Sequence, residues 1–173
     1  ELADIYHKMY KGNNIYLFSN KEDDPVFDKK KYIKRILIND DLINDPIELK
    51  ELENSLVIYD DNEHGKSKKI EQEMMRLSNL IMLQGRSKNI NYILINHLMN
   101  DYKKTRDILN EMSHMVIFPS YTTKYSLNYI LSRYFGLDKK TIDKIYNINS
   151  RSITILKHPL CAISEKEIFL LNN

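Results

Sequence analysis

A chain of 173 residues with 42% hydrophobic content is long enough to bury one good core and is expected to form a single domain over residues 1–173. Its 26 basic and 24 acidic residues leave a net charge of +2, which argues neither for nor against a nucleic-acid partner and requires any basic surface to be local. The lone Cys161 excludes an internal disulfide and fits a reducing intracellular setting, while no run reaches the length of a membrane span and no cationic, apolar leader opens the sequence.

The first ten residues carry Leu2, Ile5, Tyr6 and Met9 at helical spacing, with Gly12 as a stop signal. No initiating Met or N-cap precedes them, so the chain reads as beginning inside an element. Residues 15–19 predict a buried strand, the polar stretch 21–31 with Asp23-Asp24-Pro25 a surface loop, and 36–38 a short strand. Asp45-Pro46, followed by Ile47, Leu49 and Leu52, predicts a short helix with Asp45 as its N-cap and Pro46 at its first position.

Leu56-Val57-Ile58-Tyr59 then runs without alternation into Asp60-Asp61. Such a run predicts a strand buried on both faces, as in the centre of a parallel sheet, with two carboxylates at its carboxyl end, where open α/β sheets place ligands. Mg2+ takes oxygen donors and commonly only one or two protein carboxylates beside phosphates and water, so this is the form of a Walker B motif. Its plain alternative is a buried strand ending at an acidic turn. Gly65-Lys66-Ser67 superficially resembles the end of a phosphate-binding loop. The position five before Gly65 is Asp60 rather than Gly, however, and Asp61, Asn62, Glu63 and His64 replace small residues, so the motif is rejected.

Residues 68–84 place Ile70, Met74, Leu77, Leu80 and Ile81 on one stripe and predict an amphipathic helix ending at Gly85. Tyr92-Ile93-Leu94-Ile95 predicts a second central strand tipped by Asn96 and His97. His97 has no second His or Cys at ligand spacing and suits a hydrogen-bonding role better than a metal site. A helix over 103–112, with Ile108, Leu109 and Met112 inward and Arg106 outward, leads to a strand over 115–118 stopped by Pro119. Helices over 124–134 and 139–146 are separated by Gly136, the second capped by Asp138. Short strands over 152–156, 160–163 and 168–171 are joined by turns at His158-Pro159 and at Glu165-Lys166-Glu167. Two basic clusters, Lys29, Lys30, Lys31, Lys34 and Arg35, and Lys66, Lys68 and Lys69, are candidate phosphate contacts; the bland reading of each is a solvated face.

The order and spacing of Leu56 to Asp61, Gly85-Arg86, Ile93 to His97, Thr105-Arg106-Asp107-Ile108-Leu109-Asn110-Glu111, Val116 to Pro119, Tyr134 to Leu137, Ser150-Arg151 and Pro159 to Leu171 carry a resemblance. Over residues 15–171 the chain resembles the genome-packaging ATPases of nucleocytoplasmic large DNA viruses, the poxvirus-type branch of the FtsK–HerA superfamily of P-loop NTPases. The resemblance implies a three-layer α/β fold of RecA/ASCE type, with a mostly parallel sheet flanked by helices and short C-terminal strands. It also implies ATP and Mg2+ as cofactors, hydrolysis coupled to driving double-stranded DNA into a capsid, and a pentameric or hexameric ring of this chain. Capsid or membrane proteins are further partners it would allow, and the host cytoplasm with its viral factories, and the virion, are the locations.

By the same resemblance Asp60 holds Mg2+ through its water shell and Asp61 polarises the attacking water. The family commonly has Glu at that second position, so Glu63 is the fallback. Asn96, with His97 beside it, matches the polar sensor on the next strand. Arg86 and Arg106 match family arginines, either of which could reach phosphoryl charge from a neighbouring subunit; the plain alternative for both is a surface ion pair. The family's Gly-rich P-loop and first strand are not among these residues, and its pattern places them ahead of Glu1. The expectation is therefore the greater part of an ATPase domain, with Walker B but no Walker A, inactive alone and exposing apolar sheet edges. The alternative is a non-catalytic DNA-binding or interaction subunit with the same fold.

Overall fold

The computed structural model describes residues 1–60, 67–95 and 102–171. They fall into two compact units, Glu1–Leu98 and Met99–Asn173.

In the first unit, strands β1 (Asn14–Ser19), β2 (Ile33–Leu37), β3 (Ser55–Asp60) and β4 (Ile90–Ile95) form a parallel sheet in the order β2-β1-β3-β4. The unbroken apolar run of β3 is explained by its place: Leu56, Val57, Ile58 and Tyr59 are all buried because both sheet faces are covered. Each such side chain contributes roughly 1.5–3 kcal/mol by leaving water. On one face Phe18, Val57 and Tyr59 pack with Leu42 of α2 (Asp41–Asn44) and with Ile70, Met74, Leu77 and Ile81 of α3 (Lys68–Gln84). On the other, Ile15, Leu17, Leu56 and Ile58 meet Ala3 and Tyr6 of α1 (Leu2–Met9).

Several local expectations need correction. α1 buries Ala3 and Tyr6, while Leu2, Ile5 and Met9 of the expected stripe stand exposed. β2 begins at Ile33, three residues before the expected strand, because its register with β1 runs from Ile15↔Ile33 to Ser19↔Leu37. Asp45 is the last cap of α2 rather than the first of a new helix. Pro46 disfavours helical geometry in the residue before it, so the chain stays extended to Glu48 and leaves room for a single 3-10 turn, Leu49–Leu52. That turn is opened by a reciprocal capping box in which the Glu48 amide donates to Glu51 Oε1 at 2.8 Å. α3 does end at Gly85, as the sequence predicts, although Gly85 does not itself reverse the chain. It keeps helical geometry and continues into a 3-10 turn, Gly85–Lys88, and Asn89 at φ +53° makes the reversal. A Cβ on Gly85 would stand 3.4 Å from both Ile81 and Ile90, so the glycine serves close packing of α3 on β4.

The second unit contains α4 (Tyr102–Glu111), β5 (His114–Ile117), α5 (Lys124–Phe135), α6 (Lys139–Tyr146), β6 (Ile153–Lys157), β7 (Leu160–Ile163) and β8 (Ile168–Leu170). Its four strands form an antiparallel sheet in sequence order. A mostly parallel sheet therefore describes only the first unit. The connections at His158-Pro159 and at 164–167 are too short for parallel crossovers, and β5 pairs with β6 instead of extending the parallel sheet. One sheet face, with Met115, Ile117, Ile153, Ile155 and Ala162, packs against Leu127, Leu131 and Phe135 of α5 and Ile142 and Ile145 of α6. Gly136 at φ +68° ends α5, and Asp138 caps α6 by accepting from the Thr141 amide at 2.7 Å, both as the sequence predicts. Lys157 points into the core side of β6, where its ammonium donates to the Leu109 and Asn110 carbonyls at 2.8 Å and so closes the end of α4. Burial pushes that ammonium's pKa below its usual value.

Candidate functional site

Of the candidate residues, Asp60 is the one that the described residues place at the carboxyl end of the parallel sheet. Registers Ser19↔Asp60 and Asp60↔Ile95 set the last residues of β1, β3 and β4 level with one another. Side chains alternate along a strand, so Asp60 falls on the face of Leu56 and Ile58, which is the face that α1 covers. Asp60 itself is half-buried. Ser19, which no sequence motif marks, is only 2% exposed at the tip of β1 and accepts from the Lys21 amide at 3.2 Å. The sole signal for it was a hydroxyl ending an apolar strand.

On the opposite face, Tyr59 is clamped between Phe18, with ring centroids 4.7 Å apart, and Tyr92, edge-on at 5.2 Å. Its hydroxyl has no hydrogen-bond partner among the described residues, and burial raises its pKa far above that of a free tyrosine. Tyr92 is raised for the same reason, while its hydroxyl shares a 2.9 Å hydrogen bond with Ser78. Both rings are held neutral and brace the strand ahead of Asp60.

Asp61, Glu63, Asn96 and His97 lie outside the described residues, as do Gly65 and Lys66. Arg86 is exposed in the 3-10 turn that precedes β4, hence at the amino end of the sheet. The length of a six-residue strand, about 16 Å, separates that end from the end bearing Asp60. Arg106 is exposed on α4 in the second unit. Neither arginine makes a salt bridge among the described residues. A single hard carboxylate at the carboxyl end of a parallel sheet suits Mg2+ held largely by water. Among the described residues no group of three or more His, Cys, Asp and Glu could hold a metal by itself.

The first basic cluster is largely engaged in holding the fold. Lys30 reaches Asp4 at 2.6 Å, Arg35 pairs with Asp28 and donates to the Lys21 carbonyl at 2.7 Å, and Lys34 lies 5.7 Å from the Tyr16 ring centre. Lys68 and Lys69 are exposed at the start of α3, and Lys66 is outside the described residues. No described helix is long and apolar enough to cross a membrane.

An uncharacterized protein of the Sputnik virophage, protein V3, is 35% identical to this chain over 161 residues. The match covers 90% of this chain and 64% of the virophage protein, so the chain spans less than two thirds of that relative and is homologous to it over nearly its own whole length. No family model matches the sequence, and no solved structure matches it.

Proposed function

We propose that these residues form the Walker B side of an ATP-driven motor that translocates double-stranded DNA during genome packaging. The observation that carries this reading is the placement of Asp60, at the carboxyl end of a central parallel strand buried on both faces and on the face covered by α1. Homology to a virophage protein is in keeping with a viral role. In this reading the fold is of the P-loop NTPase type, and Asp60 holds Mg2+ through water when nucleotide is bound. Asp61, or Glu63, orients the attacking water, and Asn96 and His97 act as the polar sensor. Arg86, at the far end of its own sheet, and Arg106 act on a neighbouring subunit of a ring, in the host cytoplasm and the virion.

Among the described residues β4 is an edge strand of its sheet, which supports a further element of the reading. The outer edge strand β2 carries Lys34 and Arg35, the usual guard against unwanted pairing, whereas β4, Ile90-Asn91-Tyr92-Ile93-Leu94-Ile95, has no charge at all. A parallel strand leading into a Gly-x-x-x-x-Gly-Lys-Ser/Thr turn would pair there and supply the triphosphate cradle that the 173 residues do not contain.

The test has two arms. The 173 residues alone should give no saturable binding of labelled ATP at micromolar concentration. In a chain that carries the phosphate-binding segment, Asp60→Ala should abolish ATP turnover with an unchanged thermal melt. Turnover retained by Asp60→Ala would sink the proposal. A second reading, a non-catalytic DNA-binding subunit with the same fold, predicts DNA binding indifferent to Mg-ATP.

A further inference from the structure

The α5–α6 hairpin carries more net positive charge than the chain as a whole. Residues 124–144 hold five cations, Lys124, Arg133, Lys139, Lys140 and Lys144, against two carboxylates, Asp138 and Asp143, while the entire chain nets only +2. Both carboxylates are already occupied. Asp138 caps α6, and Asp143 pairs with Lys124 at 2.7 Å. Lys139, Lys140 and Lys144 form no salt bridge among the described residues and line a shallow open depression with Asp143 and Asn147.

The start of α5, tied to the depression through the Lys124–Asp143 pair, carries unusually exposed rings. Tyr121 is 88% exposed and Tyr125 83%, while Tyr129, about 6 Å further along α5, is 36% exposed. The buried face of α5 is Leu127, Ile130, Leu131 and Phe135, so Tyr125 and Tyr129 lie on its outer side, and Tyr121 precedes the helix in the 3-10 turn Pro119–Tyr121. Lys124 joins the two features, since it reaches across to Asp143 and lies 5.6 Å from the Tyr146 ring centre. Rings this exposed contribute nothing to the core and keep apolar faces in water, a cost that a stacking partner would remove.

We propose that this face binds single-stranded nucleic acid, with Lys139, Lys140 and Lys144 on the phosphates and Tyr121 and Tyr125 stacked on bases. A duplex offers the phosphates but hides the faces of its bases; a single strand offers both, and lysine beside open aromatic rings is the combination that single strands select. The inference stands apart from the nucleotide reading, because it needs neither ATP nor Asp60.

The experiment is fluorescence anisotropy of a labelled oligothymidylate and of a labelled duplex of equal length, titrated with the 173-residue chain across a salt series. The single strand should bind more tightly than the duplex. Combined Lys139→Ala, Lys140→Ala and Lys144→Ala should weaken it at least tenfold and flatten the log–log salt slope by about 2, the loss of three phosphate contacts. Tyr125→Ala should cost about fivefold or more, the lower bound for one stacked base, and Tyr125→Phe should restore binding because the ring face and not the hydroxyl makes the contact. All these side chains are exposed, so unchanged circular dichroism is expected throughout, and Asp60→Ala should bind as the parent does. No binding of the oligothymidylate, tighter binding of the duplex, or indifference to the lysine or Tyr125→Ala changes would each overturn the proposal, the last pointing to a protein contact instead.

Discussion

Asp4 is one side chain on which α1 depends for its attachment. It accepts from Lys30, at 2.6 Å, and from the Tyr32 hydroxyl, both in the segment between β1 and β2. Those two donors, Lys30 first, hold the carboxyl well below the usual carboxylate range, and the same contact raises Lys30 above its ordinary value. A carboxyl depressed by folding stabilises above its unfolded pKa, about 3.9, and loses that contribution as pH falls toward the folded value. The raised lysine stabilises below about 10.4 and loses its contribution above it. Asp4→Asn should therefore lower the urea midpoint at pH 7, and the gap to the parent chain should narrow steadily from pH 4 down to pH 2. A gap of constant size across that range would show that the carboxylate charge is not what holds α1. Solvent screening at this partly exposed pair keeps the effect modest.

At the scale of elements, α3 was legible because its stripe repeats over 17 residues, while the Ser67 cap that opens it emerged only from the structure. The Ser67 hydroxyl accepts from the Ile70 amide at 3.3 Å, and Ser67→Ala should cost about 1 kcal/mol in a denaturation midpoint. A change below a few tenths would mean that packing of Ile70, Met74, Leu77 and Ile81 alone sets this helix end. β3 was equally legible, and with it Asp60, since an unbroken apolar run has one common home in a parallel sheet. Short elements were not. α1 covers its sheet face with Ala3 and Tyr6, and a small residue such as Ala3 carries too little hydropathy to compete with Leu2 and Met9 in a pattern. Whether β5 joins a parallel or an antiparallel neighbour depends on pairing with β6, some 35 residues later, and no local signal encodes it. Ser19 and the position of Arg86 were hidden for a related reason: register and the length of a connecting turn decide them, not residue type.

The whole molecule is marked by the unlike edges of its parallel sheet. Edge strands expose unpaired backbone donors and acceptors, and proteins blunt them with charge, as Lys34 and Arg35 do on β2. β4 has no such guard, and Ile95 at its end is 37% exposed. Left without a further strand, this edge should recruit another copy of the chain. Sedimentation velocity at about 100 μM, within the range where open edges associate, should reveal concentration-dependent dimers or larger species. Ile95→Lys places a charge at that edge outside both core clusters of the sheet, so it should suppress association without loss of the thermal melt. If the parent chain sediments as a monomer at that concentration, or Ile95→Lys associates as readily, β4 is a finished edge. A strand beside it, and the phosphate-binding turn that strand would carry, then have no physical basis.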